Sequence, residues 1–287
     1  MLNSVTNCFL CCDNPFDRAD TVLFGAPFDG TVSYRPGARF GPQAIRNESW
    51  GIESYSPVLD KDLQDIRVCD GGDLDLPFGD VPAALDAIEA QTEEILQAGK
   101  LPLLLGGEHL VTLPAVKAAA RQYPDLHIIH FDAHADLRQD YLGVGLSHAC
   151  VLRRCWEILG DGRIFQFAIR SGDREEFRFA RAGHTRMQTQ DFQGLDEVLR
   201  HLQGKPVYFT CDLDVLDPAV FPGTGTPEAG GVSFPQLAQA VYQVAAGAQV
   251  VAADITELSP PYDSGGISVM AACKLLRELL LALHCHQ

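Results

Sequence analysis

The sequence predicts an α/β fold of the doubly wound type, and two observations carry that reading. Short apolar runs rich in strand-forming residues alternate with helical patterns through almost the whole chain. Most of these runs are continuous rather than alternating, as expected of strands buried on both faces of a parallel sheet. A third observation sets the domain count. Neither a repeat, a low-complexity tract nor a linker interrupts the 287 residues, so 1–287 reads as a single domain.

The elements follow in order. Thr21–Phe28 is the first strand, and the Gly/Pro-rich stretch Gly30–Pro42 after it is a long loop of the kind that often carries function. Ile66–Asp70 is a strand, Val81–Ala98 a helix, and Leu101–Leu105 a strand leading to the helix Leu113–Gln122. The strand Leu126–Asp132 precedes the helix His148–Leu159; the strand Arg163–Ile169 precedes the helices Arg174–Ala182 and Leu195–Leu202. Pro206–Asp212 is the next strand, with a second long Gly/Pro-rich loop, Asp217–Gly231, behind it. Ser233-Phe-Pro-Gln opens the helix Phe234–Ala246 with a capping serine and a proline in its first turn. The strand Gln249–Thr256 and the helix Ser268–Leu283 are the last two elements.

Composition narrows the function. The chain carries 22 basic and 38 acidic residues, a formal net charge of −16. That argues against nucleic acid as a partner and suits a small cationic or neutral substrate. No apolar run approaches the ~20 residues that span a bilayer, so no membrane association is expected. Met1–Asp13 lacks the basic start, apolar stretch and cleavage site of a signal peptide, which points to the cytoplasm. Nine cysteines, an odd number without a framework, fit a reducing compartment. Cys69, Cys150, Cys211 and Cys273 sit in apolar surroundings and read as small hydrophobes. Cys8, Cys11 and Cys12 form a loose cluster that no second pair completes into a zinc site.

Open α/β sheets bind ligands beyond the carboxyl ends of their strands, so those ends are where chemistry is sought. Leu103-Leu-Leu runs into Gly-Gly-Glu-His109, His127-Ile-Ile-His-Phe into Asp132-Ala-His134-Ala-Asp136, and Val207-Tyr-Phe-Thr-Cys into Asp212-Leu-Asp214. Three strand ends thus deliver two histidines and four aspartates to one rim. On extended chain, alternate residues point the same way, so Asp132, His134 and Asp136 converge, as do Asp212 and Asp214.

Four carboxylates in one place repel unless cations neutralise them. Two divalent ions balance four negative charges. A hydroxide bridging them leaves the site slightly negative, receptive to a cation, and available as a nucleophile near neutral pH. Oxygen-rich ligation with two imidazoles and no thiolate favours Mn²⁺ over zinc. Taken singly, each residue has an ordinary explanation. His109 after two glycines is a turn residue, Glu257 a strand-end carboxylate, and Asp217 before Pro218 a helix cap. Three clusters at three strand ends make coincidence a poor account. His127 and His130, inside a strand, read as core or supporting groups; His184, His201, His284 and His286 read as surface residues.

Gly106-Gly-Glu-His, Asp132-Ala-His-Ala-Asp and Asp212-Leu-Asp-Val-Leu-Asp-Pro, continuing through Pro222-Gly-Thr-Gly-Thr-Pro to Gly230-Gly, resemble the ureohydrolase family of arginases, agmatinases and relatives. The resemblance runs from about Thr21 to Leu283. It implies a three-layer α/β/α sandwich around a central, mostly parallel sheet, two Mn²⁺ per chain, and hydrolysis of a guanidinium group to urea and an amine. Carried over, one manganese takes His109, Asp132, Asp136 and Asp212, and its neighbour His134, Asp132, Asp212 and Asp214, with Asp132 and Asp212 bridging. Asp136 accepts a hydrogen bond from the attacking hydroxide and relays a proton to the leaving amine. His148, in Ser147-His148-Ala, matches the proton shuttle or substrate contact. Glu257, in Glu-Leu-Ser-Pro-Pro-Tyr-Asp, matches the glutamate that pairs with the guanidinium.

Within the family, Leu142-Gly-Val-Gly-Leu-Ser-His148 lacks the Ser-Gly-Asn segment with which arginases hold their substrate's α-carboxylate and α-amine. Val32-Ser-Tyr-Arg-Pro-Gly-Ala-Arg-Phe-Gly-Pro and Ser259-Pro-Pro-Tyr-Asp are similar to bacterial agmatinases. The expected reaction is agmatine to putrescine and urea, by a homo-oligomer (trimer or hexamer) as is common in the family. Guanidinobutyrate, guanidinopropionate, aminopropylagmatine or arginine are the alternative substrates. A single-zinc deacetylase of arginase-like fold has a different ligand pattern, and a non-enzymatic descendant would lack a ligand or the shuttle. Ala149-Cys150, and Cys211 in a usually aliphatic slot, depart from the family's commoner residues.

Overall fold

The structure, a computed structural model, describes residues 7–285; Met1–Thr6, His286 and Gln287 lie outside the described residues. The strands are β1 (Thr21–Ala26), β2 (Tyr55–Ser56), β3 (Lys61–Asp62), β4 (Val68–Asp73), β5 (Leu101–Gly106), β6 (His127–Phe131), β7 (Ile164–Ile169), β8 (Arg186–Thr189), β9 (Pro206–Asp212) and β10 (Gln249–Thr256). Eight of them form one sheet in the order β4-β1-β5-β10-β9-β6-β7-β8. Every ladder in it is parallel. β2 and β3 pair antiparallel in a separate small ribbon.

The helices are α1 (Gly41–Glu48), α2 (Val81–Gln97), α3 (Thr112–Gln122), α4 (Val151–Leu159), α5 (Arg174–Arg181), α6 (Leu195–His201), α7 (Phe234–Gly247) and α8 (Ile267–Leu283). Successive strand side chains point to opposite faces, and each face has its own core. Val22, Phe24, Leu104, Ile128 and Tyr208 pack with α2, α3 and α4. Leu23, Leu103, Ile129, Phe131 and Phe209 pack with residues of α1, α6, α7 and α8. The result is the expected three-layer sandwich, and the strand runs are continuously apolar because both faces are covered.

Four elements go beyond the sequence reading: the two-residue strands β2 and β3, the helix α1 and the strand β8. α1 is mostly polar, with Ile45 as its one buried aliphatic, and its buried Arg46 is held by Asp70 at 2.8 Å and by Asp73. β8 reads Arg-Met-Gln-Thr, an edge strand with no buried face to demand an apolar run. The helix read from His148 begins instead with a 3₁₀ turn, His148–Cys150, that precedes α4. Asp217 caps no α-helix. It accepts the N–H groups of Ala219 (2.9 Å), Gly230 (2.8 Å) and Gly231 (3.0 Å), tying the two ends of its loop together.

Candidate active site

The four central strands, β5-β10-β9-β6, run parallel and end on one rim. β5 is followed by Gly107, where a Cβ would lie 1.8 Å from the Phe28 carbonyl oxygen, so only glycine lets the chain carry Glu108 and His109 into the rim. β6 delivers Asp132, His134 and Asp136; β9 delivers Asp212 and Asp214; β10 delivers Glu257. Asp136 and Glu257 hold left-handed backbone, with φ of 53° and 65°. Such non-glycine positions cost energy and concentrate where side-chain aim matters more than local comfort.

His109 Nδ1 lies 3.1 Å from Asp132 Oδ2, 3.1 Å from Asp136 Oδ2 and 3.5 Å from Asp212 Oδ2. His134 Nδ1 lies 3.0 Å from Asp214 Oδ2 and 3.5 Å from Asp132 Oδ1. Asp132 therefore faces both imidazoles, one oxygen toward each. Asp212 meets the His109 group through Oδ2, while its Oδ1 accepts the Asp214 N–H at 2.8 Å. Donor atoms of Asp132, His134 and Asp214, and of His109, His130 and Asp132, lie close enough to share an ion.

One row below, strand register places Gln166, His130, Thr210 and Asp254 side by side across β7, β6, β9 and β10. All four are fully buried. Asp254 accepts hydrogen bonds from Thr210 Oγ1 (2.6 Å), Tyr208 OH (2.6 Å) and Thr112 Oγ1 (2.7 Å). With its own proton committed to Asp254, Thr210 Oγ1 accepts from His109 Nε2 at 2.9 Å. That bond makes Nδ1 the nitrogen that faces the carboxylates, a buried atom with no hydrogen-bond partner. Its lone pair can face carboxylate oxygens only with a proton or a cation between them. The donor set fits a divalent ion.

His130 plays a different part. Gln166 Nε2 donates to Ala135 O at 2.8 Å and to His130 Nδ1 at 3.1 Å, and Thr185 Oγ1 holds Gln166 Oε1 at 3.0 Å. His130 Nε2–H is then left to donate to Asp132 Oδ2 at 2.8 Å. Both its nitrogens are engaged, so it supports Asp132 rather than offering a free donor. The sequence reading of His130 as core or supporting group agrees with this placement.

The electrostatics follow from crowding. Burial, with the Asp214 and Asp132 charges added, pushes the Asp212 carboxyl well up. Burial and Asp132 push Asp136 up to about 7. Asp132 is held well below the usual range because contacts with His130, His109 and His134 outweigh its burial. His109 and His134 are held well above theirs, their carboxylate neighbours overriding burial. Left to itself the cluster keeps protons; cations would take their place.

Above the cluster, His148 Nδ1–H donates to Thr31 O at 3.1 Å, which leaves Nε2 as its free nitrogen. Burial pushes this imidazole down to about 4. Thr31 is itself clamped by buried Glu108, which accepts its N–H at 3.1 Å and its hydroxyl at 2.5 Å. Glu257 accepts the His109 N–H at 2.8 Å, and burial with Glu108 nearby pushes its carboxyl well up. Asp136, His134, Asp212, His148 and Glu257 all line one cavity of about 480 Å³, whose outer part carries Tyr34, Arg35, Arg138, Tyr141 and Glu228.

Other sequence readings fare unevenly. His201 is exposed and His184 half-buried against the Phe179 ring at 4.2 Å. His284 is not a surface residue: it is buried, with Nε2 3.0 Å from Thr21 Oγ1, because the end of α8 packs over the start of β1. Cys150, Cys211 and Cys273 are buried, Cys69 half-buried, and all nine cysteines are free. Cys8 and Cys11 are half-buried, Cys12 buried, and among the described residues no thiol belongs to a candidate ion-binding group.

The same architecture recurs in known proteins. A profile of the arginase family matches residues 19–282. The agmatinase of Bacillus subtilis (strain 168) is 47% identical over 275 residues, 95% of each chain. The agmatinase of Bacillus anthracis is 48% identical over 268 residues, covering 93% of this chain and 92% of its own. The crystal structure of the agmatine ureohydrolase of Thermoplasma volcanium superposes with a TM-score of 0.89 at 34% identity, covering 98% of this chain and 96% of that one. The chain belongs to the arginase family. Within it, this is an agmatinase-like ureohydrolase, a hydrolase of a guanidino C–N bond.

Proposed function

We propose that the protein hydrolyses agmatine to putrescine and urea with two Mn²⁺ ions. The observation that carries the metal reading is the buried Nδ1 of His109, without a hydrogen-bond partner and ringed by three carboxylates. The near-equal identity to agmatinases over almost the full chain supports the substrate. His109, Asp132, Asp136 and Asp212 would hold one ion, and His134, Asp132, Asp212 and Asp214 the other. Bound there, the ions would offset the four carboxylates and supply a nucleophile from water near neutral pH.

The chain's own residues do the rest. Glu257 pairs with the planar guanidinium, a geometry suited to two parallel hydrogen bonds, and fixes the face of its carbon. Asp136, in the same cavity, takes the proton released from water and passes it to the departing nitrogen. His148, neutral and with Nε2 free, accepts a hydrogen bond from the substrate and moves protons between the amine and solvent. The reading also takes the protein to be a cytoplasmic homo-oligomer, a trimer or hexamer. Among the described residues no helix is long and apolar enough to cross a membrane. Urea release from a panel of guanidino compounds with Mn²⁺ added tests the whole; agmatine is expected to lead the panel.

A further inference from the structure

We infer that Glu228 is the specificity-determining residue of the outer cavity, binding a primary ammonium at the far end of the guanidino substrate. The inference rests on the agmatine reading above and assigns the part of the site that the reacting groups leave open. Four non-aspartate charged groups other than histidine ring the cavity beyond the ligands and Glu257: Arg35, Arg138, Glu176 and Glu228. Arg138 and Glu176 cancel each other at 3.3 Å, and the Arg138 guanidinium lies over the Tyr141 ring at 4.5 Å. Arg35 is stacked between Tyr34 (5.0 Å) and Tyr262 (5.3 Å). Glu228 differs. Among the described residues neither an arginine nor a lysine pairs with its carboxylate.

The carboxylate is nevertheless held in place. Ser171 Oγ donates to its Oε1 at 2.8 Å, and His134 Nε2 lies 3.9 Å from the same oxygen. Its backbone carbonyl is gripped by Arg170, which also donates to the carbonyls of Asp214 (2.7 Å) and Val215 (3.1 Å). One guanidinium thus ties the Glu228 loop to the strand end that carries a predicted ligand. At Gly231 a Cβ would lie 2.7 Å from Arg170 Nη2 and 2.4 Å from Asp217 N, so the loop closes on that arginine only with glycine there.

The placement suits the assignment. Glu228 sits one imidazole ring beyond the His134–Asp214 pair and lines the same cavity as Glu257, so one cavity offers an acid for the guanidinium and a second acid for an amine tail. A negative group fixed by its neighbours, with neither an arginine nor a lysine paired to it among the described residues, discriminates by sign. It attracts an ammonium tail and repels a carboxylate tail.

The test is steady-state kinetics of the Mn²⁺-loaded protein on agmatine, butylguanidine (the same chain without the amine) and 4-guanidinobutyrate. In Glu228→Gln the ratio of kcat/KM for agmatine over butylguanidine is expected to fall tenfold or more, mainly through KM, and guanidinobutyrate to gain relative to both. Glu228→Asp, which retracts the carboxylate by one methylene, is expected to shift preference toward the homologue of agmatine with one more methylene. Metal counts of the variants separate this from a loss at His134. An unchanged ratio in Glu228→Gln, with wild type preferring agmatine, overturns the inference alone. A wild type that prefers butylguanidine or guanidinobutyrate to agmatine overturns the agmatine reading and this inference with it.

Discussion

His109 donates through Nε2 to Thr210 Oγ1 at 2.9 Å, and that bond decides what its other nitrogen can do. Thr210 accepts because its hydroxyl proton is already engaged by Asp254 at 2.6 Å. The chain Asp254–Thr210–His109 thus sets a proton position from the sheet interior, on a residue otherwise free to flip between tautomers. Its counterpart, Gln166–His130–Asp132, does the same for the carboxylate that both imidazoles face. The rim is organised from beneath.

Thr210→Val should therefore weaken metal binding at the His109 position roughly ten- to hundredfold, while Thr210→Ser, which keeps the hydroxyl, should bind nearly as wild type. Calorimetric titration of metal-free protein with Mn²⁺ measures both. Equal affinity in the valine variant would show that the tautomer is fixed by something else.

Asp132 faces both histidines, whereas His109 serves one side of the cluster. Asp132→Ala should lower metal content at both positions and abolish urea release; His109→Ala should leave one ion bound and reduce turnover less. Elemental analysis after desalting gives the count, with two ions per chain expected in the loaded wild type. Near-normal turnover of Asp132→Ala at saturating Mn²⁺ would remove the shared-carboxylate role.

Much of this site was legible because strand ends are where parallel sheets place chemistry, and six ligand-type residues stood at three such ends. What sequence reading missed was one row deeper. Thr210 and Asp254 are polar residues inside apolar strands, as are Gln166 and His130, and only His130 drew attention. Their meaning depends on register between strands far apart in the chain, which no local pattern reports. Glu108 was visible only as part of Gly-Gly-Glu-His, since its partner Thr31 lies in a loop 77 residues earlier. α1 escaped for the opposite reason: its buried polar contact, Arg46 with Asp70, mimics a surface helix in composition. His284 was misplaced because a histidine near a chain end looks exposed until α8 is packed against β1.

His148 offers a prediction in pH. Burial holds its folded-state pKa down at about 4, below the ordinary 6.5. As pH falls from 6.5 toward 4, the unfolded chain takes up a proton that the folded protein refuses, so stability is lost on acidification. The unfolding free energy of wild type should fall more steeply than that of His148→Asn across this window, by up to about 1.4 kcal/mol for each pH unit. Urea melts at pH 6.5, 5.5 and 4.5 provide the comparison. Parallel slopes would mean that the imidazole is not buried as a neutral group.

Agmatine should be cleaved with far greater kcat/KM than arginine. Both present the same guanidinium to Glu257, so the difference must arise at the tail. Arginine brings an α-carboxylate into a cavity whose outer acid, Glu228, pairs with no arginine or lysine among the described residues, and whose arginine Arg138 is already matched by Glu176 at 3.3 Å. The chain also lacks the Ser-Gly-Asn segment that resemblance to arginases ties to that carboxylate. A partly desolvated carboxylate without donors costs several kcal/mol, and each ~1.4 kcal/mol is tenfold in discrimination, so a preference on the order of a thousandfold is expected. Arg35 is the group that could reverse it, since it is held by aromatic faces rather than by an acid. If arginine competes on equal terms, Arg35→Gln should restore the agmatine preference. If it does not, the tail is read by neither residue, and the agmatine assignment falls while guanidino hydrolysis stands.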